Sequence, residues 1–277
     1  MMGREKIMKK FLLVVLVLVV GTALAACGGK EKASDDKSVK IGATAGPYSD
    51  MLKKAIIPGL EEKGYKVELI EFSDYIQPNN ALASGDIDAN LFQNTTYLEN
   101  VVKETEAELS PLIIVPTAPM GIYSNKFKTI EAIEDGAKVT IPNDPVNGAR
   151  ALLVLQDEGL IELDPNAEVL KVSEKDVTMN KKNLVFQPIE AGQLPRSVDG
   201  TDLAAVPGNF ALAASMNLLD ALALEDMLDI YRNVVAVKTE NIDKQFAKDI
   251  IEIVESAEFE KVIDSDFEGF GKPEWMK

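Results

Sequence analysis

Histidine is absent from this 277-residue chain, cysteine and tryptophan occur once each, and only 6% of the residues are aromatic. Without imidazole the usual ligand sets for zinc and other transition metals cannot be assembled, so no metal is expected. A serine or cysteine nucleophile would likewise lack its imidazole base. A single cysteine excludes an internal disulfide framework. Positive charge is also scarce: 29 Lys+Arg stand against 45 Asp+Glu, for a formal net charge of −16. Nucleic acid and anionic lipid headgroups both require concentrated positive charge, so neither is an expected partner. The acidic runs lack the loop spacing of calcium motifs and read as solvated faces. No Gly-Lys-Ser/Thr phosphate loop is present, which removes nucleotide hydrolysis by that route, so any energy must come from a partner; no cofactor is expected. A pair of carboxylates could still act as acid and base, so glycosidase chemistry stays open.

The one long apolar run lies at the start. "MMGREKIMKK" supplies a basic head, "FLLVVLVLVVGTALAA" an uncharged segment, and small residues precede Cys27. That order predicts a signal peptide over residues 1–26. Leu24-Ala25-Ala26-Cys27-Gly28 resembles the lipobox of bacterial lipoproteins, which implies cleavage before Cys27 and acylation of its thiol, palmitate being the expected acyl group. The small, polar residues that follow predict a lipidated tether over 27–37. Residues 1–26 carry four basic and one acidic side chain, so the chain beyond them has a net charge of −19. Contact with the membrane is therefore expected through lipid alone, on the extracytoplasmic face.

Beyond the tether, short β-rich runs alternate with helical stretches, the pattern of an α/β protein. Strands are expected at 38–45, 66–72 and 87–92, with helices at 49–65, 77–86 and 95–109; Pro58 should break or restart the first helix and Gly85 end the second. The alternation restarts at 111–124 and continues through a strand at 137–143, a helix near 146–158, strands at 183–191 and from 203, and a strand at 233–240 before two closing helices. Two α/β blocks with terminal elements left over predict two lobes, residues 38–120 plus 234–277 and residues 121–233, with the chain crossing between them more than once. Ligands of open α/β sheets collect beyond the carboxyl ends of the strands. Candidate site segments are therefore 44–50, 72–79, 92–97, 143–150 and 207–210.

One of these, "NDPVNGARALLVL", crowds capping residues and a single arginine into a helix entrance. Asp144 or Asn143 suits the cap and Pro145 the first turn, while Asn147 and Arg150, three apart, share a face. Free N–H groups, the helix dipole and a guanidinium would converge there, which suits a carboxylate. On spacing alone the plainer reading is a cap, with Arg150 paired to a surface acid, because capped helix starts are common.

The chain resembles the substrate-binding lipoproteins of methionine uptake transporters, the NlpA/MetQ family. The likeness is carried by "VELIEFSDYIQPNNALASGDIDANLFQNTTYLEN", by "IPNDPVNGARALLVLQDEGLI" and by "AGQLPRSVDGTDLAAVPGN". It implies a two-lobed, periplasmic-binding-protein-like fold of type II closing on one amino acid, and a monomer that delivers methionine to an ABC permease driven by a cytoplasmic ATPase. Carried over position by position, it implies that Arg150 holds the ligand carboxylate, that Asn147 contacts the ligand backbone, and that Tyr75, Phe92 and Tyr97 enclose the thioether; the same three rings also fit ordinary core packing. Two positions depart from the family pattern: Asn94 stands where a histidine is usual, and Pro207 where an asparagine is usual. Asn209, two residues on, is the candidate replacement. These departures leave open another amino acid or a short methionine-containing peptide as ligand. A secreted carboxylate-pair hydrolase and a surface adhesin are the alternatives of a different class.

Overall fold

The computed structural model describes residues 37–276; the expected signal peptide and, apart from Lys37, the tether lie outside the described residues. Among the described residues no helix is long and apolar enough to cross a membrane.

The first lobe is built on a five-stranded sheet of order β2-β1-β3-β12-β4. β1 (Ser38–Thr44) pairs in parallel with β2 (Lys66–Phe72) and β3 (Ala89–Asn94). Parallel neighbours need a crossover that packs on a face of the sheet, which is why helical segments separate these strands. The first crossover shows how one residue shapes an element. It runs as α1 (Pro47–Met51), a π-helical segment (Leu52–Ile56) and α2 (Ile57–Glu62). Pro58 has no N–H to donate and its ring crowds the carbonyl one turn earlier, so the helix widens before it and restarts as α2, with Pro58 in the first turn. The second crossover carries α3 (Gln77–Ser84), capped by Gly85 at φ 84°, a left-handed conformation that glycine adopts without a steric penalty. α4 (Thr95–Thr105) follows β3 directly and leads to β4 (Leu109–Ile114).

The second lobe is a five-stranded sheet of order β11-β5-β10-β6-β9. β6 (Lys138–Pro142) lies parallel to β9 (Val185–Ile189) and β10 (Leu203–Val206), while β5 (Gly121–Tyr123) runs antiparallel to β10 and to β11 (Ala223–Leu224). α5 (Pro145–Asp157) connects β6 to a small antiparallel hairpin, β7 (Ile161–Leu163) with β8 (Val177–Asn180), which the sequence reading did not anticipate. α6 (Leu194–Ser197) precedes β10 and α7 (Gly208–Ala213) follows it.

The chain crosses between sheets twice, from the end of β4 to β5 and from the end of β11 to β12 (Asn233–Lys238). β12 inserts antiparallel between β3 and β4, and α8 (Gln245–Val254) and α9 (Ala257–Asp266) then close over the first sheet. Ile250, Ile253, Val254, Phe259 and Ile263 from these helices share a core with Val39, Ile41, Leu52 and Ile56. A separate core, around Val139, Ile141, Leu152, Leu155 and Leu203, sits in the second lobe.

This topology brings two sheet edges face to face. Thr44, Phe72 and Asn94 end their strands at one edge, and Asn233 begins β12 at that same edge because it lies opposite Asn94. Pro142, Ile189 and Val206 end their strands at the other, level with Gly121 and Leu224. The lobes touch across the cleft. Tyr75 donates its hydroxyl to Asn209 Oδ1 at 2.7 Å, and Asn209 Nδ2 donates to Thr44 Oγ1 at 3.4 Å. Gly46, at φ 103°, packs so closely on α7 that a Cβ there would come within 2.8 Å of the Ala213 Cβ.

Candidate functional site

The helix entrance singled out in the sequence reaches the cleft. Of the two candidate caps it is Asp144 that acts: its Oδ1 accepts the Asn147 N–H at 2.8 Å, and Pro145 occupies the first turn, where its missing donor costs nothing. Asn147 and Arg150 lie on the buried face of α5. Each side chain is committed to a partner. The Asn147 amide nitrogen donates to both Asp144 oxygens at 3.1 Å, and its Oδ1 accepts from Arg150 Nη1 at 2.8 Å. The alternative of a surface acid for Arg150 fails in an informative way, because its partner is an acid but a buried one. Arg150 Nε donates to Glu225 Oε1 at 2.9 Å and Nη2 donates to Oε2 at 2.6 Å, with both side chains only 6% exposed. Glu225 Oε2 also accepts the Met120 N–H at 3.0 Å.

A buried guanidinium is costly unless paired and hydrogen-bonded. Burial alone would lower the pKa of Arg150, but the Glu225 carboxylate more than offsets it and holds the group above its ordinary value. Its other face rests on the Tyr231 ring, 5.2 Å from the centroid. Burial raises the Asp144 carboxyl above its usual range, opposed by the hydrogen bonds from Asn147 and by the charge of Arg150. A guanidinium has five N–H donors and three are used here, which leaves one each on Nη1 and Nη2.

A cavity of about 220 Å³ opens beside this group, lined by Tyr75, Phe92, Gln93, Asn94, Tyr97, Asn147 and Arg150. Six of the eight ligand-binding positions expected from the sequence are thus brought together. Tyr75, Phe92 and Tyr97 pack at centroid distances of 5.8 to 6.2 Å, with Tyr75 and Tyr97 edge to face. Burial pushes the phenols of Tyr75 and Tyr97 upward, so both are neutral donors at physiological pH. Phe92 and Tyr97 share a small cluster with Val146 and Tyr231 from across the cleft, so core packing and cavity lining are here the same contact. Asn94 caps α4, its Oδ1 accepting the Tyr97 N–H at 2.7 Å.

Pro207 and Asn209 do not line the cavity. Pro207 is the residue before α7, where its carbonyl accepts the Phe210 and Ala211 N–H groups and its own lack of a donor is harmless. Asn209 instead uses each end of its amide in the bridge to Tyr75 and Thr44.

The sequence reading missed Glu225, Gln93, Tyr231 and Asn233. Gln93 is held by a closed amide network: it exchanges hydrogen bonds with Asn79 at 2.7 and 2.8 Å and donates to Asn90 Oδ1 at 3.1 Å. Asn233 and Tyr231 are the opposite case. Both are buried, yet Asn233 Nδ2, the Tyr231 hydroxyl and the neighbouring Thr95 hydroxyl have no hydrogen-bond partner among the described residues. Unpartnered buried donors are rare, and these three adjoin residues that line the cavity: Tyr231 stacks on Arg150, Asn233 lies opposite Asn94, and Thr95 follows Asn94 in the chain. Among the described residues no cluster of carboxylates could hold a metal ion.

The chain matches the family model described as NlpA lipoprotein over residues 39–275. It is 35% identical to the D-methionine-binding lipoprotein MetQ of Salmonella typhi, across 93% of this chain and 95% of that protein. It is 33% identical to the methionine-binding lipoprotein MetQ of Bacillus subtilis strain 168, across 95% and 97%. Its fold superposes with a TM-score of 0.79 on a nutrient-binding protein from Burkholderia cenocepacia bound to methionine. That structure is 37% identical and covers 83% of this chain and 97% of its own.

Proposed function

Because the chain belongs to the NlpA lipoprotein family, whose members are substrate-binding proteins and not enzymes, we propose that it captures methionine, L or D, for uptake by an ABC transporter. The observation that carries this reading is the meeting, in one small cavity, of a buried arginine with two unused donors and three aromatic rings. Arg150 receives the ligand carboxylate on Nη1 and Nη2. Tyr75, Phe92 and Tyr97 enclose the side chain, where a thioether gains from contact with ring edges. Asn94 and Asn233 present polar groups to the ligand backbone.

In the same proposal, residues 38–120 plus 234–277 form one lobe and residues 121–233 the other, closing about the two crossings with the ligand favouring the closed form. Cys27 carries the lipid that holds a monomer at the outer face of the membrane, within reach of the permease and its cytoplasmic ATPase. The test is isothermal titration of residues 30–277, unfolded and refolded to strip carried-over ligand, against L- and D-amino acids and short methionine peptides. Saturable binding of methionine is expected; heat with other amino acids but none with any methionine derivative would sink the assignment.

A further inference from the structure

The Glu225 carboxylate has no part in the reading above, yet it makes the shortest ionic contact in the cleft. It lies behind Arg150 and does not line the cavity, so it does not compete for the ligand's place. Its backbone is fixed because Leu224, immediately before it, pairs with Gly121 at the sheet edge. Its Oε2 is fixed a second time by the Met120 N–H. Gly121 and Met120 belong to one crossing region and Glu225 opens the other, so the carboxylate ties Arg150 to both.

Its second effect is on charge. Asp144 reaches the same guanidinium through the Asn147 amide, and its buried carboxyl feels the charge of Arg150. Two carboxylates therefore already share one cation at the polar end of the cavity. A ligand carboxylate arriving alone would add a third anion to a site shielded from water, where an uncompensated charge is costly. A ligand that also brings an ammonium restores the balance.

We propose that Glu225 is a positioning and specificity residue: it holds the Arg150 fork by its Nε/Nη2 edge and balances its charge, so that the cavity accepts zwitterionic α-amino acids and rejects bare carboxylates. This rests on the reading of Arg150 as the carboxylate holder.

The experiment is titration calorimetry of the wild type, Glu225→Gln and Glu225→Asp with matched pairs, each α-amino acid beside its des-amino analogue, beginning with methionine and (methylthio)butanoate. The wild type should prefer methionine by more than about a hundredfold, as sites with committed polar partners do. Glu225→Gln should narrow that ratio by about tenfold or more, chiefly by improving the des-amino ligand. Glu225→Asp keeps the charge but shortens the reach, so both ligands should weaken while the ratio holds. An unchanged ratio in folded Glu225→Gln overturns the proposal. So does a wild type that binds both ligands within tenfold, a result that needs no variant to fold. If methionine fails but another amino acid binds and its des-amino partner does not, the methionine assignment falls and the role of Glu225 stands.

Discussion

Two groups of buried charge can be set side by side. In the first lobe, Asp249 is 6% exposed and accepts from Tyr65 at 2.6 Å, from Gln245 at 3.2 Å and from Lys63 at 3.4 Å. In the cleft, Arg150 is equally buried and is met by Glu225 and Asn147. The first group is closed on itself and staples α8 to the turn after α2. The second leaves two guanidinium donors unused and has unpartnered Asn233 and Tyr231 atoms beside it. Burial of charge does not by itself mark a binding site; unfinished hydrogen bonding beside it does.

The comparison breaks most sharply on deletion of each centre. Arg150→Ala should lower methionine affinity by a hundredfold or more, from the loss of about 3 kcal/mol or more of charged contact. It should also destabilise the fold by about 3–5 kcal/mol, since Glu225 is left buried and unpaired. Asp249→Ala should cost about 3 kcal/mol in urea melts and leave affinity untouched. Equal effects of both variants on binding would erase the distinction.

Asn233→Ala should do the reverse of Asp249→Ala. Its Nδ2 has no partner among the described residues, so stability should hold while affinity falls by about 1–3 kcal/mol, read by calorimetry.

Acid separates the groups further. Burial would raise the Asp249 carboxyl, but the hydrogen bonds from Tyr65, Gln245 and Lys63 outweigh it and leave the pKa below its ordinary value. A depressed folded pKa means stability that is present above the unfolded value of about 3.9 and lost as pH falls through the folded one. The stability gap between wild type and Asp249→Asn should therefore be widest near neutrality and shrink below about pH 4. Asp144 is shifted upward, so its own contribution runs the other way, gaining as the pH falls. The smallest expected effect is that of Tyr75→Phe. Losing the hydroxyl bridge to Asn209 should weaken binding by about 1 kcal/mol, roughly fivefold, and mainly by faster ligand release.

Much of this was legible in the sequence where the signal is local. The alternation at 66–72 is strand β2 to the residue, Gly85 caps α3, and Asp144 and Pro145 start α5. The rule that sites lie beyond the carboxyl ends of strands picked out the segments 72–79 and 92–97, and the family resemblance singled out Tyr75, Phe92, Asn94 and Tyr97 within them. That same rule hid Asn233, because β12 runs antiparallel and offers its amino end at the ligand edge. Glu225 sits in an acidic, leucine-rich run that reads as a solvated face, and only a pairing 75 residues away gives it a purpose. A question the sequence does pose, what balances an arginine on the apolar side of α5, would have prompted the search. Strands of two to four residues, as in β7, β8 and β11, carry too few positions for alternation to register.

The insertion of β12 between β3 and β4 also orders the making of the molecule. Among the described residues, β4 has β12 as its only neighbour in the sheet. As the chain emerges from its N-terminus, β4 must wait through more than a hundred residues, the whole of the second lobe among them, for the strand that pairs with it. The lobe begun first is thus completed last, and the cleft acquires its Asn233 wall only when that final strand slides home.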